Sequence, residues 1–576
     1  MDTSRKIHIY HLFLILSLVF CLLLIIRIAV ITLFPDNPSA DNTYYSVPDL
    51  ADHVERGTIF DRNGIILAAE VPYYTCAVMI QSVDSKEKIA EILSPILFMT
   101  KTAILEQMQN RTIYAVIKHR LSKEEISFIQ QKLDADVLPG IIIEKRYGRI
   151  YPQKFHAAQL IGFTNRDNVG LEGLEYSFND LLYPLPEAET DITVGKDLYL
   201  TIDLRIQFFV DRQMELIAEK HNPDSASAIV MNADTGEILA WSSYPWYDLN
   251  SYSDSTPEQR LNRPAVAMYE PGSVFKIYSL ASILNIGDAD TEKRFICDGT
   301  YSFTMSNGNT AVINCVSPHG EVGPREILKY SCNGAIAHLA LQTNPESFYN
   351  SLLDYGFSST YNLQIPGEAS GLLSPPDKWS GRSIPTISFG QEIGVTALQM
   401  TTAATVFSNN GMLLQPDIIA KIVNTDGSLY HQFERTEIRQ VLKKENALDV
   451  LNMMTSATEP GGTAIYARAP DVTTAAKTGT AQILDAETHT YSPDHVLASC
   501  ISLFPAENPE YIIYIAVDYP KSGQFYGSSV AAPSIGAITS DLVSAGLASS
   551  SKTTFLIIPG ENSESIINPE IIKSDQ

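Results

Sequence analysis

The residues best suited to chemistry are Ser273-Val274-Phe275-Lys276, introduced by Glu270-Pro271-Gly272 and continued by an apolar run from Ile277 to Leu284. Proline and glycine break what precedes them, and the apolar residues recur at helical spacing, so Ser273 is predicted in the first turn of a buried helix. Residues three apart share a helical face, which brings Lys276 within reach of Ser273. A serine hydroxyl is a weak nucleophile. A lysine beside it acts as its base when burial or a nearby positive charge lowers the lysine pKa. Free N–H groups at the helix N-terminus would face a developing oxyanion. Alone, the S-x-x-K pattern is common and carries little weight. Two further patterns lie downstream. Ser331-Cys332-Asn333 precedes the apolar run Gly334 to Ala340; its hydroxyl could pass a proton to a leaving group, and its amide could hold both Lys276 and a substrate carbonyl. Lys477-Thr478-Gly479-Thr480-Ala481 follows Thr473 to Ala476 and suits a strand, with Gly479 giving a substrate backbone room to approach. An edge strand there would bind an extended peptide by strand addition. Lys477 and Thr478 would then meet a terminal carboxylate, and the Thr480 N–H would join that of Ser273 in an oxyanion hole.

The elements that must position these residues begin near residue 195. Asp197 to Asp203 alternates like a strand and leads into a helix from about Leu204 to Lys220. Ala226 to Met231, the turn Asn232 to Gly236, and Glu237 to Trp241 read as an antiparallel hairpin. Strands recur at Val496 to Leu503 and Tyr511 to Val517, followed by a helix from about Pro533 to Leu547. A sheet assembled from the first and last parts of a domain, with helices between, is an α+β arrangement. Upstream, Arg56-Gly57-Thr58-Ile59-Phe60-Asp61-Arg62-Asn63-Gly64 reads as strand and hairpin turn, its arginine and aspartate forming a structural ion pair. Helical patterns dominate from Ser85 to Asp136, clearest at Lys101 to Gln109 and Ser122 to Leu133. No nucleophile–base pattern occurs before residue 195, so this part reads as a scaffold.

A chain of 576 residues should divide into two or three domains. Hydrophobic content of 45% and charged content of 19% are those of a folded protein, and a net charge of −25 without a basic cluster excludes nucleic acid as a partner. From about His11 to Phe34 the chain is almost continuously apolar, long enough to span a bilayer, with Arg27 near one end able to snorkel. Arg5 and Lys6 precede this run and Asp36, Asp41, Asp49 and Asp52 follow it, so a cytoplasmic N-terminus and an extracytoplasmic remainder are expected. The expected organisation is a tail at 1–10, an anchor at 11–34, a scaffold at 35–190, a catalytic domain at 195–548 and a poorly ordered tail at 549–576. Of six cysteines, Cys297 and Cys315 flank a turn-rich segment that would bring them together as a hairpin. A disulfide is the expected outcome in an oxidising exterior. Two alternatives stay open: free buried thiols, or part of a metal site with His319.

The order S-x-x-K, S-x-N, K-T-G resembles the penicillin-binding protein and serine β-lactamase superfamily. RGTIFDRNG resembles the pedestal signature of the monofunctional class B penicillin-binding proteins, and NRPAVAMYEPGSVFK the approach to their nucleophile. SFGQEIGVTALQ from Ser388 and YGSSVAAP from Tyr526 resemble further segments of that class. The resemblance implies a transpeptidase domain of the penicillin-binding protein fold, preceded by an elongated pedestal and a single membrane helix. It implies a D,D-transpeptidase that cross-links peptidoglycan stem peptides ending in D-Ala-D-Ala through an acyl-enzyme on Ser273, and that penicillins acylate. Catalytic roles fall on Ser273, Lys276, Ser331, Asn333 and Lys477, and substrate binding on Thr478, Gly479 and Thr480; no cofactor or catalytic metal is implied. GFTNRDNVGLEGLEYSFNDLL from Gly162 is more similar to the septal, division type than to the elongation type, which implies a SEDS-family glycosyltransferase and divisome proteins as partners. Departures are Ala476 and Glu392, where glycine or a small residue is usual. Rival readings are a membrane β-lactam sensor, a β-lactamase and a non-catalytic divisome scaffold; the single anchor, the pedestal and the intact motifs speak against each in turn.

Overall fold

The structure, a computed structural model, describes residues 53–186, 192–305, 307–484 and 491–550. The expected cytoplasmic tail and anchor, and all but the first residues of the expected C-terminal tail, lie outside the described residues. Among the described residues two compact units are present: Val71–Tyr147 forms one, and residues 53–70 together with those from Gly148 onward form the other.

In the first unit the helices Lys86–Leu97, Lys101–Met108 and Lys123–Asp134 surround the strand Tyr114–Lys118, which pairs antiparallel with the far end of the strand Ile66–Met79. Ile89, Leu93, Leu97, Ile104, Met108, Ile117 and Ile129 fill its core. Ser122 and Glu125 form a reciprocal cap on the third helix, which fixes where it starts. The expected helices at 101–109 and 122–133 are therefore present.

The larger unit is built on a five-stranded antiparallel sheet in the order Ala475–Leu484, Tyr491–Phe504, Tyr511–Asp518, Ser225–Asn232, Ile238–Tyr244. Side chains alternate across a strand, and here both faces are buried. Ala228, Val230, Cys500, Ile513 and Ile515 face one core, which the helices Leu204–His221 and Ala532–Ser544 complete with Val210, Met214, Ile535 and Leu542. Ile229, Met231, Ile501, Leu503 and Ile512 face the other, against Phe275, Tyr278 and Leu280 of the segment carrying Ser273. The last two strands and the hairpin at 225–244 thus join into one sheet as their alternation predicted. Among the described residues, the strand bearing Lys477-Thr478-Gly479 is an edge strand, paired only with Tyr491–Phe504.

The hairpin around Asn63-Gly64 also forms, pairing Ile59 with Ala68 and Phe60 with Ile66. Its charges are arranged differently from the expected Arg–Asp pair. Asp61 accepts hydrogen bonds from the N–H groups of Asn63 and Ile65 at 2.8 Å each, closing the turn. Arg62 pairs instead with Glu237 at 3.3 Å. Arg56, fully buried, donates from Nε to Glu175 Oε2 at 2.7 Å and from its other nitrogens to the carbonyls of Asn168 and Glu175 and to Asn179 Oδ1. Arg149 reaches the second Glu175 oxygen at 2.6 Å and the Gly57 carbonyl at 2.7 Å. A carboxylate held between two buried guanidiniums, with carbonyls and an amide oxygen around them, explains how Arg56 and Glu175 are accommodated in the interior.

Candidate active site

Gly272–Phe275 is a 3-10 turn, and the α-helix proper runs Lys276–Ile286. Ser273 therefore lies one turn earlier than the helix, where the tighter winding carries its half-buried hydroxyl over Lys276. Gly272 has φ of +57°, a conformation glycine adopts without strain. The turn is pinned from outside: the Gly272 N–H donates to the Gly390 carbonyl at 3.0 Å, and a Cβ on Gly390 would fall 2.2 Å from the Gly272 oxygen. This contact explains the segment from Ser388. Glu392, whose φ of +58° is unusual for a side-chain-bearing residue, is held by hydroxyls of Ser383 and Thr386 at 2.6 Å each. The departure at Glu392 is thus accommodated, and Ala476 packs its small side chain into the buried face shared by Val230 and Cys500.

Lys276 is wholly buried. Its Nζ contacts Ser273 Oγ at 2.6 Å, Asn333 Oδ1 at 2.6 Å, the Ser331 carbonyl at 3.1 Å and Ser331 Oγ at 3.2 Å. Burial lowers its pKa to about 8, against a smaller opposing pull from nearby Cys332 and Cys315. Ser331 caps the helix Pro324–Tyr330 in the left-handed region, φ +61°, and Cys332 begins the helix Asn333–Ala340. That reversal between two helices aims Ser331 Oγ into the site and is a strained backbone of the kind found at functional positions. Asn333 splits its amide, with the oxygen on Lys276 and Nδ2 donating to the Asn314 carbonyl at 3.0 Å.

Lys477 is also fully buried. Its Nζ donates to Ser331 Oγ at 2.9 Å and to the Thr478 carbonyl at 2.8 Å. Burial, and then the neighbouring charge of Lys276, hold its pKa well below the ordinary lysine value. It therefore turns inward, away from the open edge where a carboxylate was expected to meet it. Gly479 also differs from expectation: the space its side chain would fill is taken by Ser499 Oγ at 2.6 Å and Val274 Cγ2 at 2.7 Å, so the glycine lets the edge strand press against the nucleophile turn. Thr480 Oγ1 accepts from the Gly527 N–H at 3.1 Å, which is the work of the segment from Tyr526.

Ser273, Lys276, Ser331, Asn333 and Lys477 thus converge, and Thr478, Gly479 and Thr480 lie along the adjoining edge. Sequence reasoning did not single out Gly390 and Gly527 as individual supports, although both sit in the quoted segments. A cavity of about 620 Å³ lined by Tyr269, Glu270, Leu372, Glu392, Tyr491 and Leu497 is separate, since none of the eight residues lines it. Cys297 and Cys315 are free thiols, their sulfurs 3.7 Å apart, so the expected disulfide is not formed.

A buried lysine on a serine hydroxyl, with a second serine bridging to another buried lysine, is a constellation suited to acyl transfer. Residues 226–540 match the model of the penicillin binding protein transpeptidase domain, and residues 51–190 that of the penicillin-binding protein dimerisation domain. The chain belongs to the penicillin-binding protein transpeptidase family. It is 30% identical over 509 residues to the peptidoglycan D,D-transpeptidase FtsI of Buchnera aphidicola, covering 83% of this chain and 85% of that protein. It is 29% identical over 514 residues to stage V sporulation protein D of Bacillus subtilis, covering 84% and 78%. Among solved structures it is similar to penicillin binding protein 2X of Streptococcus thermophilus, with a TM-score of 0.71, 26% identity and coverage of 86% of this chain and 80% of that one. Penicillin binding protein 3 of Mycobacterium tuberculosis, complexed with aztreonam, gives a TM-score of 0.68 at 25% identity, covering 86% and 97%.

Proposed function

We propose that this protein is a serine D,D-transpeptidase that cross-links peptidoglycan stem peptides and is acylated by β-lactams. Neutral Lys276 takes the proton of Ser273 as its Oγ attacks the carbonyl of the penultimate D-Ala. The N–H groups of Ser273 and Thr480 stabilise the resulting oxyanion. As the tetrahedral adduct collapses, the C–N bond breaks, the terminal D-Ala amine takes a proton through Ser331 Oγ, and an ester remains on Ser273. An amine of a second stem then attacks that ester, breaks its C–O bond and returns the proton to Ser273 Oγ. Lys477 orients and polarises Ser331, Asn333 fixes Lys276, and Thr478 and Thr480 on the edge strand receive the substrate carboxylate and backbone. The observation that carries this reading is Lys276 Nζ at 2.6 Å from Ser273 Oγ, buried and with a pKa lowered to about 8.

The reading extends to a septal role, supported by the segment from Gly162, with a SEDS-family glycosyltransferase and divisome proteins as partners. It extends as well to a single-pass anchor at residues 11–34 with the catalytic unit outside the cytoplasm, supported by the charge bias across residues 5 to 52. Incubating the purified full chain with a D-Ala-D-Ala stem peptide and an amine acceptor tests the activity: mass spectrometry should find released D-Ala and a cross-linked product. Absence of both, with no adduct on Ser273 from a fluorescent penicillin, overturns the assignment. A reporter active only outside the cytoplasm, fused after residue 60, tests the topology and should be active.

A further inference from the structure

Next to the second motif stand four side chains that the reaction leaves unused. The sulfurs of Cys297, Cys315 and Cys332 and Nδ1 of His319 all lie within 4.8 Å of one another. Cys297 Sγ and Cys315 Sγ are 3.7 Å apart, as are Cys315 Sγ and Cys332 Sγ, and Cys297 Sγ stands 3.4 Å from His319 Nδ1. Bonds of about 2.3 Å to sulfur and about 2.0–2.1 Å to nitrogen put the ligand atoms of a tetrahedral zinc ion about 3.8 Å apart for two sulfurs and about 3.6 Å for sulfur and nitrogen. A disulfide instead needs sulfurs at about 2.05 Å, and here Cys315 has two sulfur neighbours at one distance, so neither pair is singled out for bonding. We propose that Cys297, Cys315, His319 and Cys332 hold one Zn(II) ion in a closed structural site.

The fold supplies an independent reason for a cross-link at this place. Cys297 ends the strand Phe295–Cys297, and His319 precedes its partner Gly320–Val322. Cys315 follows Thr310–Asn314, which pairs with Thr300–Thr304. Each is a two-stranded ribbon, with Ile296, Val312 and Val316 left exposed; such ribbons bury too little apolar surface to be stable by themselves. A metal bonded to both ribbons and to the start of the helix Asn333–Ala340 adds a cross-link to the few apolar side chains, among them Phe295, Tyr301, Ile313 and Val322, by which the ribbons join the main core. Three soft sulfur donors and one imidazole nitrogen select zinc over the hard cations. Backbone donors already face two of the sulfurs: the Gly334 N–H points at Cys315 Sγ at 3.3 Å and the Ala335 N–H at Cys332 Sγ at 3.5 Å, as backbone N–H groups do around metal-bound sulfur. The His319 ring lies parallel to that of Tyr330, 5.8 Å between centroids, which sets its orientation. Four protein donors leave no position for water, so the ion is structural. Cys332 lies between Ser331 and Asn333 in the chain, so the cross-link ends inside the second motif.

Zinc content decides the matter. The full chain, purified in detergent without chelator, should carry one zinc per chain by mass spectrometry of the elements. Cys297→Ser and His319→Ala should each retain less than about one tenth of that, while Cys76→Ser, outside the cluster, keeps it. Because a ligand variant could fail to fold, the unmutated protein is tested as well. Under native conditions Cys297, Cys315 and Cys332 should resist alkylation until a zinc chelator is added, and Co(II) exchanged into the site should show the charge-transfer and d–d bands of a tetrahedral thiolate complex. Zinc at less than about one tenth per chain in the unmutated protein, alkylation indifferent to chelator, or a linked Cys297–Cys315 or Cys315–Cys332 peptide in a non-reducing map overturns the proposal.

Discussion

Lys276 and Lys477 meet on a single hydroxyl: Ser331 Oγ lies 3.2 Å from the first ammonium nitrogen and 2.9 Å from the second. Burial lowers both lysine pKa values, and the neighbouring charge of Lys276 lowers that of Lys477 further. The pH dependence of acylation follows from Lys276. With a folded-state pKa of about 8, only about one lysine in ten is neutral at pH 7, and the neutral form is the base. The rate of penicillin acylation should therefore rise about tenfold per pH unit below about 8 and level off above it. A stopped-flow or gel-labelling profile that is flat from pH 6 to 9 would show that another group takes the proton.

Removing the base while keeping its volume isolates that chemistry. Lys276→Met should lower acylation by about 10²–10⁴-fold. Ser273→Ala should abolish the covalent adduct altogether, with circular dichroism unchanged. A full-strength adduct on the Ser273→Ala variant, or one mapped to another peptide, would remove Ser273 from its role.

Ser331 occupies a left-handed backbone position that glycine adopts more easily, by about 1 kcal/mol. Ser331→Gly is therefore expected to unfold within about 1 kcal/mol of the unmutated protein, because relief of backbone strain offsets the lost hydrogen bonds. Its acylation should fall by about 10²-fold, since the proton has lost its bridge. Thermal melts and labelling rates measured on the same preparation separate the two effects; loss of stability without loss of rate would assign Ser331 a structural part only.

Gly390 stands outside the three motifs, yet a methyl group there would fall 2.2 Å from the Gly272 oxygen. Gly390→Ala should displace the turn carrying Ser273 and cost about 10²-fold in acylation, as misplacement of about 1 Å does elsewhere. Wild-type rates in this variant would show that the turn does not rely on its neighbour.

Glu175 holds a buried guanidinium on each carboxylate oxygen, Arg56 at 2.7 Å and Arg149 at 2.6 Å. Glu175→Gln removes the carboxylate charge that both buried guanidiniums share and should destabilise by about 3–5 kcal/mol. Chemical denaturation of the larger unit measures this directly.

Much of this was readable in the chain because it rests on short-range pattern. Alternation in Ala226 to Met231 and Tyr511 to Val517 gave strands, and the S-x-x-K, S-x-N and K-T-G spacings marked the residues that the fold brings together. What escaped depends on long-range placement. Nothing local says that Lys477 turns inward to Ser331, that Gly479 is small because Val274 presses on it, or that Asp61 closes a turn instead of pairing with an arginine. The cysteines illustrate the same limit: the hairpin reading correctly brought Cys297 beside Cys315, but Cys332 joins them only through the packing of a helix against two ribbons.

The buried charge cluster around Glu175 also bears on how the chain could be shortened. The Arg56 N–H donates to Glu70 at 2.7 Å, and Arg149 donates to the Gly57 carbonyl at 2.7 Å, so the residues at which the chain departs into Val71–Tyr147 and returns from it grip the same two-residue segment. The first compact unit is thereby an excursion whose ends are already neighbours, like the insertion point of a transplanted module. Excising 71–147 and joining the ends with a short glycine-serine linker should leave a body that still reacts with penicillin, because closing so short a gap costs little chain entropy. Lineages could then exchange or resize that excursion while the chemistry at Ser273 stayed as it is.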